Sequence, residues 1–262
     1  MKKNYISVLI TNFNKKKFLE KSLNSVSNQE FKNYEVILFD DFSTDNSKKI
    51  IKKYKKIKLL ENKKKINRSA PLNQINGIYK AFLKSKGNII CLMDADDYFD
   101  KNKLQIVNLK FNNYSHINSL YNLPITINKN FTVKKKKFFH SLWPTIFPTS
   151  CISVTRKSFE YFLKYLKPNQ YPNLEIDARL TIFYYFILNE YNILDQKLTK
   201  YNHDENGITA KIKKYDKHWW LRRKDGYDYL KFILKKRKKG FFPNLDYLVT
   251  EICCFLINKF YR

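Results

Sequence analysis

The first hundred residues alternate between short apolar, β-branched runs and amphipathic stretches of helical spacing, a rhythm that few architectures accommodate. ISVLIT, YEVILFD, IKLLE and NIICLMD read as four successive strands. Between them Phe18, Leu19, Leu23 and Val26 recur at helical spacing, and the cap-rich DFSTDNS precedes a helix carrying Ile50, Ile51 and Tyr54. From Ser69 to Lys84, Leu72, Ile75, Tyr79, Phe82 and Leu83 share one helical face. Such βαβ units predict an α/β domain with a mainly parallel sheet, since a parallel neighbour is reached only by a crossover. At 262 residues the chain suits one large domain, with or without a smaller appendage.

The polar residues Thr11, Asn12, Asp40, Asp41, Asp94, Asp96 and Asp97 all follow the C-terminal ends of predicted strands. Ligands of open α/β sheets collect at that edge, so one site can use them all. Asp94 and Asp96, two apart in extended backbone, point the same way, with Asp97 adjacent. Carboxylates this close repel one another unless a hard cation or ligand hydroxyls occupy the site. Acids at strand ends also serve as turn and N-cap chemistry; in DDFSTDNS one of Ser43, Thr44 or Asp45 caps the second helix, and two preceding acids exceed that need.

Beyond about residue 110 the pattern weakens. The Asn- and Lys-rich region from Asn112 to Lys137 reads as irregular, mobile surface. CISV reads as a strand, Arg156 to Leu166 as a helix, and DARLTIFYYFILNEY as a buried helix after the turn-rich KPNQYPN. The tail is basic and aromatic: HWWLRR, then KKRKKGFFPNLDYLVTEICCFLINKFYR.

Composition narrows the class. With 44% hydrophobic and 16% aromatic residues the chain is far from disordered. A formal charge of +28 favours an anionic partner, whether nucleic acid, phospholipid or phosphorylated substrate, although abundant Lys, Asn and Ile also fit compositional drift. Cys91, Cys151, Cys253 and Cys254 show no CxxC spacing, so neither a disulfide framework nor a zinc site is expected. The N-terminus reads as a first strand rather than a leader, and no run reaches the roughly 18 apolar residues of a spanning helix. A cytoplasmic protein, or one attached to a membrane from the cytoplasmic side, is expected.

Four blocks, ISVLITNFN, YEVILFDDFSTDNS, NRSAPLNQINGIYKAFLKSKGNII and CLMDADDYFDKNKL, in this order and spacing resemble the inverting family 2 glycosyltransferases. The resemblance covers about the first 105 residues closely. It implies a GT-A, Rossmann-like nucleotide-diphospho-sugar transferase fold over residues 1–210, with a donor half (1–105) and an acceptor half (106–210). A basic amphipathic helical extension (211–262) follows.

Thr11 and Asn12 would line the nucleotide pocket, Asp41 would contact the uracil or other base with Asp40 beside it, and Arg68 would lie near base and diphosphate. Asp94 would bind the ribose side and share in the metal site, Asp96 would ligate Mn or Mg, and Asp97 would orient the sugar. The family's general base opens a helix in the second half; LEIDARL places Asp177 there, with Glu175 as the neighbouring acid. A carboxylate at a helix start is also explained by the helix dipole. His203 in YNHDENGIT resembles a residue that closes over diphosphate and metal. Two departures are TNFN, where the family usually has Pro before Tyr-Asn, and a missing Gly before the Arg68 segment.

The implied partners are a nucleotide-sugar donor, with UDP first, and a saccharide or lipid-linked acceptor of the cell envelope, shaped by Trp143, Pro144, Thr149 and Ser150. Without a QxxRW motif or spanning helices, a single transfer per encounter is expected. The tail from Lys235 reads either as a segment for an anionic membrane surface or as a helix closing the core. A nucleic-acid-binding protein is disfavoured because the strand ends are acidic. A nucleotidyltransferase lacks its Gly-rich phosphate loop here, and Asp177 argues against a catalytically inactive nucleotide-sugar-binding protein.

Overall fold

The computed structural model describes residues 4–66, 68–126, 143–202, 207 and 212–260. The chain runs β1 (Ile6–Asn12), α1 (Lys16–Ser27), β2 (Tyr34–Asp40), α2 (Ser47–Ile51), β3 (Ile57–Glu61), α3 (Ala70–Leu83) and β4 (Ile89–Asp94). Then follow β5 (Tyr98–Phe99), α4 (Lys103–Asn113), β6 (Ser119–Thr126), a 3-10 turn (Thr149–Cys151), β7 (Ile152–Thr155) and α5 (Arg156–Leu163). α6 (Ile176–Phe186), β8 (Ile193–Tyr201), α7 (Lys217–Lys236) and α8 (Leu245–Phe260) complete it. Among the described residues the strands form one sheet in the order β3-β2-β1-β4-β7-β6-β8-β5. β3, β2, β1 and β4 are mutually parallel, whereas β7 runs antiparallel to β4 and to β6.

Burial on both faces explains the nearly continuous apolar runs of the parallel strands. In β1, Ile6, Val8 and Ile10 face a core packed by Leu19, Leu23 and Val26 of α1 and by Leu104 and Val107 of α4. Leu9 faces the opposite core, where Leu72, Ile75 and Ile78 of α3 meet Phe159, Phe162 and Phe183. α3 begins as its sequence dictates: the Ser69 hydroxyl accepts from the Leu72 amide at 3.4 Å, and Pro71 occupies the first turn.

The second half departs from the irregular surface expected after Asn112. Residues Ser119–Thr126 form β6, largely buried between β7 and β8, while residues 127–142 lie outside the described residues. Its Asn and Pro disguise it. Pro124 is tolerated in a strand with neighbours on both sides because the register against β8 shifts at Asn122/Leu123 and Leu123/Pro124. Cys151 belongs to the 3-10 turn, and the strand read as CISV starts at Ile152.

Two features set the geometry of the second half. Arg179 of α6, fully buried, donates to five carbonyls, those of Leu166, Lys167, Gln170, Tyr171 and Leu174, at 2.7–3.1 Å, and so clamps the loop ahead of α6. α7 packs Tyr229, Leu230, Ile233 and Leu234 into the same core as α3 and α6. Arg179→Met removes all five of these bonds, although the carbonyls of Lys167 and Tyr171 keep the amides of Gln170 and Leu174 as donors, and the expected loss is about 3 kcal/mol. Urea unfolding should show a lower midpoint with an unchanged slope.

Candidate functional site

The parallel register aligns the polar strand ends: Asn12 pairs with Asp40 across β1 and β2, and Thr11 with Asp94 across β1 and β4. The residues just past each strand therefore meet at one edge, around a cavity of about 580 Å³. Thr11, Asn12, Asp41, Arg68, Asp94 and Asp96 line it, and so do Glu175 and Asp177. Lys15, Lys65 and Gln74, not singled out in the sequence, line it too.

Asp40 and Asp97 lie outside that lining. Asp40 is fully buried: its carboxylate accepts from Asn12 Nδ2 at 2.7 Å and from the Ser43 amide at 2.9 Å, so it fixes the turn after β2. Asp97, equally buried, accepts from the Asn202 amide at 2.9 Å, tying the DADD turn to the end of β8. Burial, then the Asp96 and Asp94 charges, hold its carboxyl well above the usual carboxylate range. Both acids hold the loops around the cavity. His203 lies outside the described residues.

Asp41 accepts from Asn62 Nδ2 at 2.6 Å, and Asn62 accepts from Lys80 at 2.9 Å. Asp94 Oδ1 accepts from Thr11 Oγ1 at 3.2 Å and from Gln74 Nε2 at 2.8 Å, while its amide donates to Ser150 Oγ at 2.9 Å. Burial, followed by the Asp96 charge, pushes its carboxyl up to about 6. Gln74 reaches Asp94 because α3 lies close on the sheet: a Cβ at Gly77 would stand 2.7 Å from the Phe39 ring and 3.1 Å from Thr11 Cγ2. Asp96 pairs with Lys15 Nζ at 2.5 Å.

Behind the DADD turn, fully buried Lys103 donates to the Ser150 carbonyl and, at 2.8 Å, to Thr199 Oγ1, and lies 3.7 Å from the Phe99 ring centre. Burial pulls its ammonium down to about 8. It thereby joins α4, the 3-10 turn and β8 beneath the acidic floor. Thr149 lines the cavity, Ser150 supports Asp94, and Trp143 stacks on Tyr227 of α7 with ring centres 4.7 Å apart.

Asp177 occupies the first turn of α6, accepting from the Ala178 amide at 2.6 Å. Burial, then the Glu175 charge, pushes it up to about 7, opposed by Arg222. Glu175, the residue before α6 and 4% exposed, accepts from Arg222 Nε of α7 at 2.6 Å. Arg222 and Lys15 were concealed in the sequence by HWWLRR and by a lysine run that resembles solvated surface.

Asp94 and Asp96 are hard oxygen donors on one cavity wall. Among the described residues no three His, Cys, Asp or Glu gather into a protein-only cage. Mg²⁺ and Mn²⁺ do not need one at a diphosphate: one or two carboxylates suffice when phosphate oxygens and waters fill the remaining positions. The donor set fits such an ion.

The family model described as glycosyl transferase family 2 matches residues 7–183. The chain is 31% identical over 102 residues to the poly(ribitol-phosphate) β-N-acetylglucosaminyltransferase TarS of Staphylococcus aureus, 38% of this chain and 17% of that protein. It is 30% identical over 136 residues to the GalNAc(5)-diNAcBac-PP-undecaprenol β-1,3-glucosyltransferase of Campylobacter jejuni, 49% of this chain and 42% of that one. The matched stretches thus span less than half the length of either relative. The crystal structure of TarS 1-349 with UDP superposes with a TM-score of 0.63 at 18% identity, over 98% of this chain and 72% of that one. The Pyrobaculum calidifontis mannosyltransferase PcManGT, in complex with GDP-Man and Mn²⁺, gives 0.59 at 14% identity, over 97% and 70%. The fold is GT-A, and the chain belongs to glycosyl transferase family 2.

Proposed function

We propose that this chain is a metal-dependent inverting transferase that moves a single sugar from a nucleoside-diphosphate donor, a UDP-sugar first, to an acceptor. The acceptor proposed is a saccharide or lipid-linked saccharide of the cell envelope, reached from the cytoplasmic side. One observation carries this reading: a single cavity holds the strand-end acids on one side and Asp177 on the other. The UDP and GDP-Man complexes of TarS and PcManGT support the donor class, and the Campylobacter relative supports a lipid-linked diphosphate acceptor.

In this reading Asp41 accepts a hydrogen bond from the base, and Thr11 and Asn12 line the nucleoside. Arg68, Lys65 and Lys15 bring positive charge to the diphosphate. Asp94 faces the ribose side and, with Asp96, would hold the divalent ion, which supplies Lewis-acid offset of the charge that grows on the leaving group. Asp177 takes the proton of the acceptor hydroxyl as that oxygen bonds to the anomeric carbon. The bond from that carbon to the diphosphate breaks on the opposite face, and the nucleoside diphosphate leaves with the electron pair. Glu175, held by Arg222, fixes the start of the helix that presents Asp177. Asp40 and Asp97 act beneath the cavity, holding the loops that carry Asp41 and Asp96.

Donor binding and hydrolysis across UDP-, GDP- and dTDP-sugars with Mn²⁺ test the reading. Asp177→Asn should keep donor binding and lose about 10²–10⁴-fold in turnover, whereas Asp96→Ala should lose the metal-dependent part of binding. No binding of any nucleotide sugar by folded wild type sinks the proposal.

A base must be free of its proton to act. With Asp177 pushed up to about 7, turnover should fall as pH drops through that value and level off above it. Arg222→Met removes the positive charge that opposes the rise, so the acid limb of the pH–rate profile should move to higher pH, with Arg222→Lys between the two.

A further inference from the structure

α8 is oriented against the usual sense of an amphipathic surface helix. Its acids face the protein: Asp246 accepts from Arg223 and, at 2.5 Å, from Tyr227, and Glu251 pairs with Lys224 at 3.0 Å and Lys231 at 3.8 Å. Thr250 and Cys254 are buried on the same side. Its apolar residues face outward: Leu245, Leu248, Ile252, Phe255 and Leu256 recur at three- and four-residue spacing, with Ile252 59% and Phe255 67% exposed. Phe242, just before the helix, is 84% exposed. Sixteen residues make this stripe about 24 Å long, far more contiguous apolar surface than scattered exposed side chains.

Charge identifies what covers it. Lys235, Lys236, Arg237, Lys238 and Lys239 form an exposed run at the α7–α8 connection, and Lys259 is exposed near the far end of α8. With both acids turned inward, the outward side of α8 carries positive charge alone. Two copies joined through this face would bring like charges together, whereas an anionic lipid surface supplies both the acyl layer and the opposite charge.

We propose that α8, Phe242 and the basic run Lys235–Lys239 form a docking surface for an anionic phospholipid bilayer. The helix lies in the plane of the interface with its apolar stripe toward the acyl chains. Among the described residues no helix is long and apolar enough to cross a membrane. The docking rests on α8 and its charges and does not depend on the acceptor assigned above.

The test is sedimentation of the full chain with phosphatidylcholine vesicles, with and without phosphatidylglycerol, in rising salt. Binding should require phosphatidylglycerol and weaken steeply between about 0.1 M and 1 M salt. Ile252→Glu with Phe255→Glu, and separately Lys238→Gln with Lys239→Gln, should each lower the partition coefficient about tenfold or more. The far-UV circular dichroism and donor hydrolysis of these variants should match wild type, because no substituted residue lines the cavity. Equal binding to both vesicles, or binding to neither, overturns the proposal. So does a wild-type dimer that Ile252→Glu renders monomeric, which would assign the stripe to a second copy. Donor hydrolysis in vesicle-free solution reports on the transferase reading separately.

Discussion

The site depends on the parallel register of β1, β2 and β4. Evenly spaced parallel ladders leave little freedom in where each strand ends relative to its neighbours. Burial on both faces fixes that register further, because a one-residue slip would exchange the sets that face the two cores. Thr11, Asn12, Asp40 and Asp94 are thereby brought side by side without any interaction dedicated to doing so. The costly elements are then supports: Asn12 and Ser43 under Asp40, Gln74 and Thr11 on Asp94, Asn202 on Asp97.

The same economy does not extend to the second half of the chain, where loops and antiparallel strands carry the cavity wall. There the chain uses cations inside the protein. Arg179 organises the approach to α6 through five carbonyls, Lys103 ties three elements beneath the floor, and Arg222 balances Glu175. Each replaces hydration lost on burial with several oriented acceptors or with a carboxylate, the condition under which a buried cation is tolerated. Much of the excess of basic residues is on the surface, but these few are structural.

What the sequence made legible follows this division. Strands β1 to β4 and helices α1 and α3 were readable because local periodicity and burial agree, and the strand-end acids came with them. β6 was hidden by Asn and Pro, whose tolerance depends on a register shift that only pairing with β8 creates. Asp40 and Asp97 had the right residue type and neighbourhood, yet which of two adjacent acids faces the cavity is decided by hydrogen bonds from Ser43 and Asn202, one of them 105 residues distant. Lys15 and Arg222 were illegible for the opposite reason: in a chain with 51 Lys and Arg, a cation with a particular partner looks like every other.

The pairing of Arg222 with Glu175 crosses a boundary. The family match ends at residue 183, whereas the guanidinium that balances the acid beside Asp177 comes from α7, beyond it. A fragment cut at the family limit would strand a buried carboxylate without its counter-ion and strip one wall from the core that holds α6. The unit that can be excised or transplanted whole is therefore larger than the unit that family membership defines, and a chimera with another member of the family must exchange α6 and α7 together.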